Sequence, residues 1–203
     1  MTPEPTFLIL PGWQNSDTSH WQSRWEAKYG DRRVEQHDWL RPLRGDWSAR
    51  LEEEVVAAKT PVVLVAHSLG CILVAAWAAH SRNTGKVRAA FLVAPGDSER
   101  DDLRQMIPGW APIVRQRLPF PSLLVAAADD PYCDAARSRE MAADWGARFV
   151  DASRDDGSHL GGKGGHLNGE SGLGDWPVGR ALLDEFLLRS DVAAFATTQS
   201  TPE

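Results

Sequence analysis

The chain has 203 residues, 42% of them hydrophobic and 25% charged, with a net charge of −6, a length and balance that suit one globular domain with a sizeable core. The charges form no basic stripe, which argues against nucleic acid or an anionic membrane surface as partner, and no apolar run approaches the roughly 20 residues of a membrane span. The opening MTPEPTFLIL has no basic segment leading into an apolar run and a cleavage site, so the expectation is a cytoplasmic protein acting on a small molecule.

In chain order, short apolar, β-rich runs alternate with helical ones. The strands are expected at TFLIL (6–10), RVEQHDW (33–39), PVVLVA (61–66), VRAAFLVAP (87–95), PSLLVAA (121–127) and ARFVDA (147–152). That alternation predicts a mostly parallel sheet flanked by helices, and the continuous apolarity of several strands requires cover on both faces. Between them, DWSARLEEEVVAA puts an acid in its first turn and Leu51, Val55 and Ala58 on one face. DAARSREMAADWGA ends at Gly146 as a helix C-cap does.

Two stretches break the rhythm. Residues 97–117 form an insertion with two prolines, and 155–174 a glycine-rich loop; long loops in compact domains are usually functional. After them DWPVGRALLDEFLLRS reads as a last helix with Pro177 in its first turn, and DVAAFATTQSTPE as a frayed tail. The two cysteines, Cys71 and Cys133, match no metal or redox spacing and read as free thiols. Most of the nine tryptophans are expected in the core.

The chemistry concentrates in AHSLG, where the third apolar run meets a helix. Such a strand–turn–helix junction is a nucleophile elbow: the turn lifts the serine hydroxyl, here Ser68, above the sheet edge. The flanking positions must be small because two backbones pass close by, and they are Ala66 and Gly70. A serine needs a neutral imidazole to take its proton and a carboxylate to orient that imidazole, in the chain order Ser, acid, His. His80 falls on the helix after the elbow, which leaves His159 and His166, and the glycines before His166 favour it. For the acid, Asp129 and Asp130 follow the fifth strand and Asp97 the fourth; successive residues leaving a strand point apart, so only one faces the histidine. The tetrahedral oxyanion needs two donors, the Leu69 N–H and one from PGWQNS, with Trp13 ahead of Gln14. Gln14 and Trp110 are the candidate substrate contacts, Trp13 and Trp110 as walls of an acyl pocket, with core packing as the alternative. His67 reads as packing beneath the elbow.

LPGW after the first strand, HW at His20 and Trp21, AHSLGC, DDPYC and GGHLNGESGLGDWPVG together resemble the small α/β-hydrolase family of the retinoblastoma-binding-protein-nine type. The resemblance implies a compact serine hydrolase over residues 1–190, strand order 2-1-3-4-5-6 with helices on both faces, and a flexible tail over 191–203. It implies Ser68, Asp130 and His166 as the catalytic residues, a small ester or amide as substrate, and no metal or organic cofactor. Retinoblastoma binding through LxCxE does not carry over, since the nearest match, LGCIL at 69–73, lacks the acid. Two other readings compete: a metal-dependent hydrolase using Asp155, Asp156, His159 and His166, and a non-catalytic interaction protein on a hydrolase scaffold. The short insertion implies an open cleft for small or medium acyl groups.

Overall fold

A computed structural model describes residues 4–153 and 164–198, with side chains to Asp191. Six strands form one parallel sheet: β1 (Thr6–Leu10), β2 (Arg32–Arg33), β3 (Val62–His67), β4 (Val87–Val93), β5 (Ser122–Ala126) and β6 (Arg148–Asp151). Their spatial order is β2-β1-β3-β4-β5-β6, the expected one. Around them run α1 (Trp21–Tyr29), α2 (Arg44–Ala57), α3 (Leu69–Ala78), α4 (Asp101–Met106), α5 (Ala135–Trp145) and α6 (Pro177–Thr198). None of these helices is long and apolar enough to cross a membrane.

The sheet is covered on both faces, which is why β3 is apolar without alternation and buried throughout. Leu8, Leu64, Leu92 and Leu124 share one core with Leu51 of α2, Ile72 of α3 and Met141 of α5. Ile9, Val65, Phe91 and Val125 face the other way, into a core with Trp21 and Trp25 of α1 and Leu183 of α6. The adjacent strands β1 and β3 therefore send their helices to opposite faces, and a crevice opens at that switch point. Six tryptophans are fully buried: Trp21, Trp25, Trp47, Trp110, Trp145 and Trp176.

Some boundaries differ from the sequence reading. The second strand, expected over 33–39, is only Arg32–Arg33. After Val34 donates to the Ile9 carbonyl, the next residue on β1's continuation is Pro11, which has no N–H to extend a ladder. The chain instead turns toward the loop after β1, where the Trp39 carbonyl accepts from the Gln14 N–H at 3.0 Å. Within the insertion a six-residue helix forms, α4, with Leu103 buried beneath it. The last helix continues to Thr198, into the segment expected as a tail, because nothing in DVAAFATT breaks a helix.

Candidate active site

Ser68 follows β3 directly, with φ 54° and ψ −120°, a strained positive-φ conformation outside the left-handed helical well that a non-glycine residue adopts only under tertiary constraint. Its N–H is held by the Val93 carbonyl at 3.0 Å. The constraint on the far side is the approach of β1: a Cβ at Gly70 would collide with the Leu10 carbonyl oxygen and lie 3.0 Å from that of Pro11. Only glycine lets α3 start this close to β1. Ala66 of β3, fully buried, pairs with Leu10 of the adjacent β1, so a single methyl is accommodated at the other flank of the elbow.

The three residues expected to act together lie within hydrogen-bond distance of one another. His166 Nε2 is 2.8 Å from Ser68 Oγ. Its Nδ1 is 2.9 and 3.0 Å from the two carboxylate oxygens of Asp130. The carboxylate can only accept, so Nδ1 carries the ring proton and Nε2 faces the serine hydroxyl as acceptor. The Asp130 side chain is fully buried and that of His166 is 8% exposed. Asp130 Oδ1 also accepts from the Tyr132 N–H at 2.8 Å, and the Tyr132 ring covers the imidazole edge-on, centroids 4.5 Å apart.

The other two aspartates do different things. Asp129 Oδ1 accepts from the Gly165 N–H at 2.7 Å, and a Cβ at Gly164 would displace that carboxylate, so a larger residue there would disturb the tie to the loop. Asp97 accepts from the Glu99 N–H at 3.1 Å and pairs with Arg137, which also pairs with Glu99; this network fastens the insertion to α5. His159, Asp155 and Asp156 lie outside the described residues. Among the described residues no group of three or more His, Cys, Asp or Glu side chains is placed to hold a metal ion.

His67 is buried, and its Nε2–H donates to the carbonyl of His166 at 2.8 Å. Its ring meets His166 on one side and His20 on the other, edge to face at 4.8 and 4.7 Å. Burial holds the His67 imidazole well below the usual histidine range, reinforced by these two neighbours, and brings His20 down to about 4. Both are neutral at pH 7. His20 Nδ1 accepts from the Gln22 N–H at 3.1 Å as the N-cap of α1. Burial pushes the Cys133 thiol up to about 12 and the Cys71 thiol up as well, so neither is a thiolate and both remain free.

A cleft of about 430 Å³ opens above Ser68. One wall is apolar, from Leu103, Met106 and Ile107 of the insertion with Tyr132; the other is polar, with Gln14, Asn15 and Asn168. At its floor Leu69 begins α3, where backbone amides have no carbonyl four residues back and concentrate positive potential. Trp13 stands opposite in the loop after β1. The Gln14 amide is committed to the Trp39 carbonyl, so it is not free to meet a substrate in the cleft. Trp110 is not at the cleft: it is wholly buried, its Nε1 donates to the Pro42 carbonyl at 2.9 Å, and its ring packs on Trp47. Its expected role as a substrate contact is therefore replaced by a structural one, fastening the insertion over α2. Sequence reasoning gave no part to Gly12, whose absent Cβ would lie 2.7 Å from Ser68 Cβ. The PG pair after the first strand was the available signal.

A family model described as serine hydrolase matches residues 7–185. Among solved structures, a protein described as a YdeN-like hydrolase from Pectobacterium atrosepticum is 27% identical, with 92% of each chain covered and a TM-score of 0.76. The ydeN gene product of B. subtilis is 19% identical over 90% of this chain and 98% of its own, with a TM-score of 0.64. Est1E from Butyrivibrio proteoclasticus, with ferulic acid bound, shares the fold at 13% identity, 89% of each chain and a TM-score of 0.64. No curated protein matches the chain.

Proposed function

The chain belongs to the serine hydrolase family, and we propose that it hydrolyses small or medium carboxylic esters by acyl transfer through Ser68, His166 and Asp130. The observation that carries this reading is the continuous pair of contacts, Ser68 Oγ to His166 Nε2 at 2.8 Å and His166 Nδ1 to Asp130 at 2.9 Å.

In this reading His166 Nε2 takes the hydroxyl proton as Ser68 Oγ bonds to the substrate carbonyl carbon, and the carbonyl electrons move onto oxygen. The Leu69 and Trp13 N–H groups stabilise that oxyanion, a contribution worth about 3–4 kcal/mol per donor elsewhere. The intermediate collapses by expelling the alkoxide, which leaves with the proton from His166. A water then repeats the sequence on the acyl-serine, returning the acid and the free hydroxyl. Asp130 fixes the ring and stabilises the imidazolium. Among the described residues the cleft lining holds no Lys or Arg and includes two acids, Asp17 and Glu170, which disfavours anionic acyl groups and favours uncharged ones against the Leu103, Met106 and Ile107 wall.

A fluorophosphonate probe followed by peptide mapping tests the reading. Modification of Ser68 alone, abolished in Ser68→Ala together with turnover of p-nitrophenyl butyrate, is the expected result. Modification elsewhere, or none, overturns it.

A further inference from the structure

The base has no regular element to stand on. His166 lies in an irregular segment between Gly164 and Leu167, with φ 73° at Gly165 and 49° at Leu167, and side chains from elsewhere fix its backbone. The Ser171 hydroxyl donates to the Gly164 carbonyl at 3.2 Å, the Gly165 amide donates to Asp129, and Trp21 Nε1 donates to the Leu167 carbonyl at 2.8 Å. The carbonyl of His166 itself accepts from His67 Nε2.

His67 differs from the other three anchors in where it stands. It is one peptide bond from Ser68 and one hydrogen bond from the backbone of His166, so nucleophile and base are joined by a second path that avoids their reacting atoms. We infer that His67 is a positioning residue, holding the base in register with the nucleophile. Three features support this beyond simple packing. The bond is buried and 2.8 Å long, so its loss leaves a carbonyl without water to replace the donor. The residue is the last of β3, buried and paired with Val93 in the sheet centre, so the donor is on a rigid element. The ring is held neutral, which spares His166 a cationic neighbour at 4.8 Å when its own ring takes up a proton. The inference rests on the triad reading above.

The test compares His67→Phe, which keeps a ring and removes the donor, with His67→Gln, whose amide nitrogen reaches about as far as Nε2. For p-nitrophenyl butyrate, H67F is expected to lower kcat roughly 10- to 100-fold, the scale of a displacement near 1 Å, with KM within about twofold. H67Q is expected to restore kcat to within about fivefold of wild type. In the same proteins without substrate, the downfield NMR signal of the proton between His166 Nδ1 and Asp130 should persist in wild type and H67Q and broaden away in H67F. An H67F protein with wild-type kcat and an intact signal overturns the inference, as does H67Q impaired as deeply as H67F. Should H67F fail to fold, His67→Asn, whose amide is one carbon too short, takes its place against H67Q with the same expectations. A wild-type protein that hydrolyses no ester counts against the triad reading, while the NMR comparison still decides whether His67 holds the base.

Discussion

Asp129 and Asp130 leave β5 on successive bonds, and their carboxylates reach the same loop at different points, one at the Gly165 amide and the other at the His166 ring. The consequences of removing each charge should differ widely. Asp130→Asn presents an amide to Nδ1 and favours the wrong tautomer, so kcat should fall about 10³–10⁴-fold. Asp129→Asn keeps an acceptor for the Gly165 N–H and loses only the charge assistance, about 1 kcal/mol, so kcat should stay within roughly tenfold. Steady-state kinetics on the two variants separates the roles; comparable losses would remove the distinction. The sequence left Asp97, Asp129 and Asp130 open because side-chain direction after a strand end depends on backbone angles that residue identity alone does not set. Ser68 and Gly70 were legible for the opposite reason. A small–x–serine–x–glycine junction between an apolar strand and helix has few other physical solutions, and the Leu10 carbonyl against Gly70 shows why.

At the scale of elements, the strands most readable from sequence were those in the sheet centre, where burial on both faces forces uninterrupted Val, Leu and Ala. The edge strand β2 was overestimated, because its length depends on what its neighbour offers, and β1 offers no donor at Pro11. The attachment of α6 was not legible at all, since it depends on a pairing across the whole chain. Arg180 of α6 binds Asp31, beyond the end of α1, at 2.8 Å, and its guanidinium lies 4.5 Å from the Phe7 ring centroid and 4.3 Å from that of Tyr29. The Asp31 side chain is only 2% exposed, and burial raises its pKa to about 6 even though Arg180 pulls it down. Arg180→Met keeps the apolar stem and strands the buried carboxylate, which should cost roughly 3–5 kcal/mol at pH 7.5. Without Arg180 the carboxyl titrates higher still, so at pH 5 it is neutral and the loss should shrink. Urea unfolding at the two pH values checks both parts; an equal loss at both would mean that Asp31 is not the group left unpaired.

At the scale of the whole molecule, acid stability is a contest between buried groups of opposite sign. Linkage makes stability change with pH wherever folded and unfolded chains bind different numbers of protons. His20 titrates near 4 when folded against 6.5 when exposed, so between those values the unfolded chain binds more protons and stability falls as pH falls. From pH 6.5 to 5 that amounts to about 2 kcal/mol. His67, also depressed by burial, acts in the same direction. Asp31 acts in the other: its folded pKa of about 6 lies above the ordinary 3.8, so the folded chain gains protons first and stability rises by about 1 kcal/mol over the same interval. The histidines prevail, and the protein should lose stability from pH 6.5 to 5, above the range in which ordinary carboxylates titrate. His20→Asn keeps an N-cap for α1 while removing the titrating ring, so its urea-derived stability should fall by about 2 kcal/mol less across that interval than the wild type's. A variant whose stability falls as steeply as wild type would show that His20 is not held neutral by the fold. A shallower fall would locate the acid sensitivity in the stack of rings beneath the elbow.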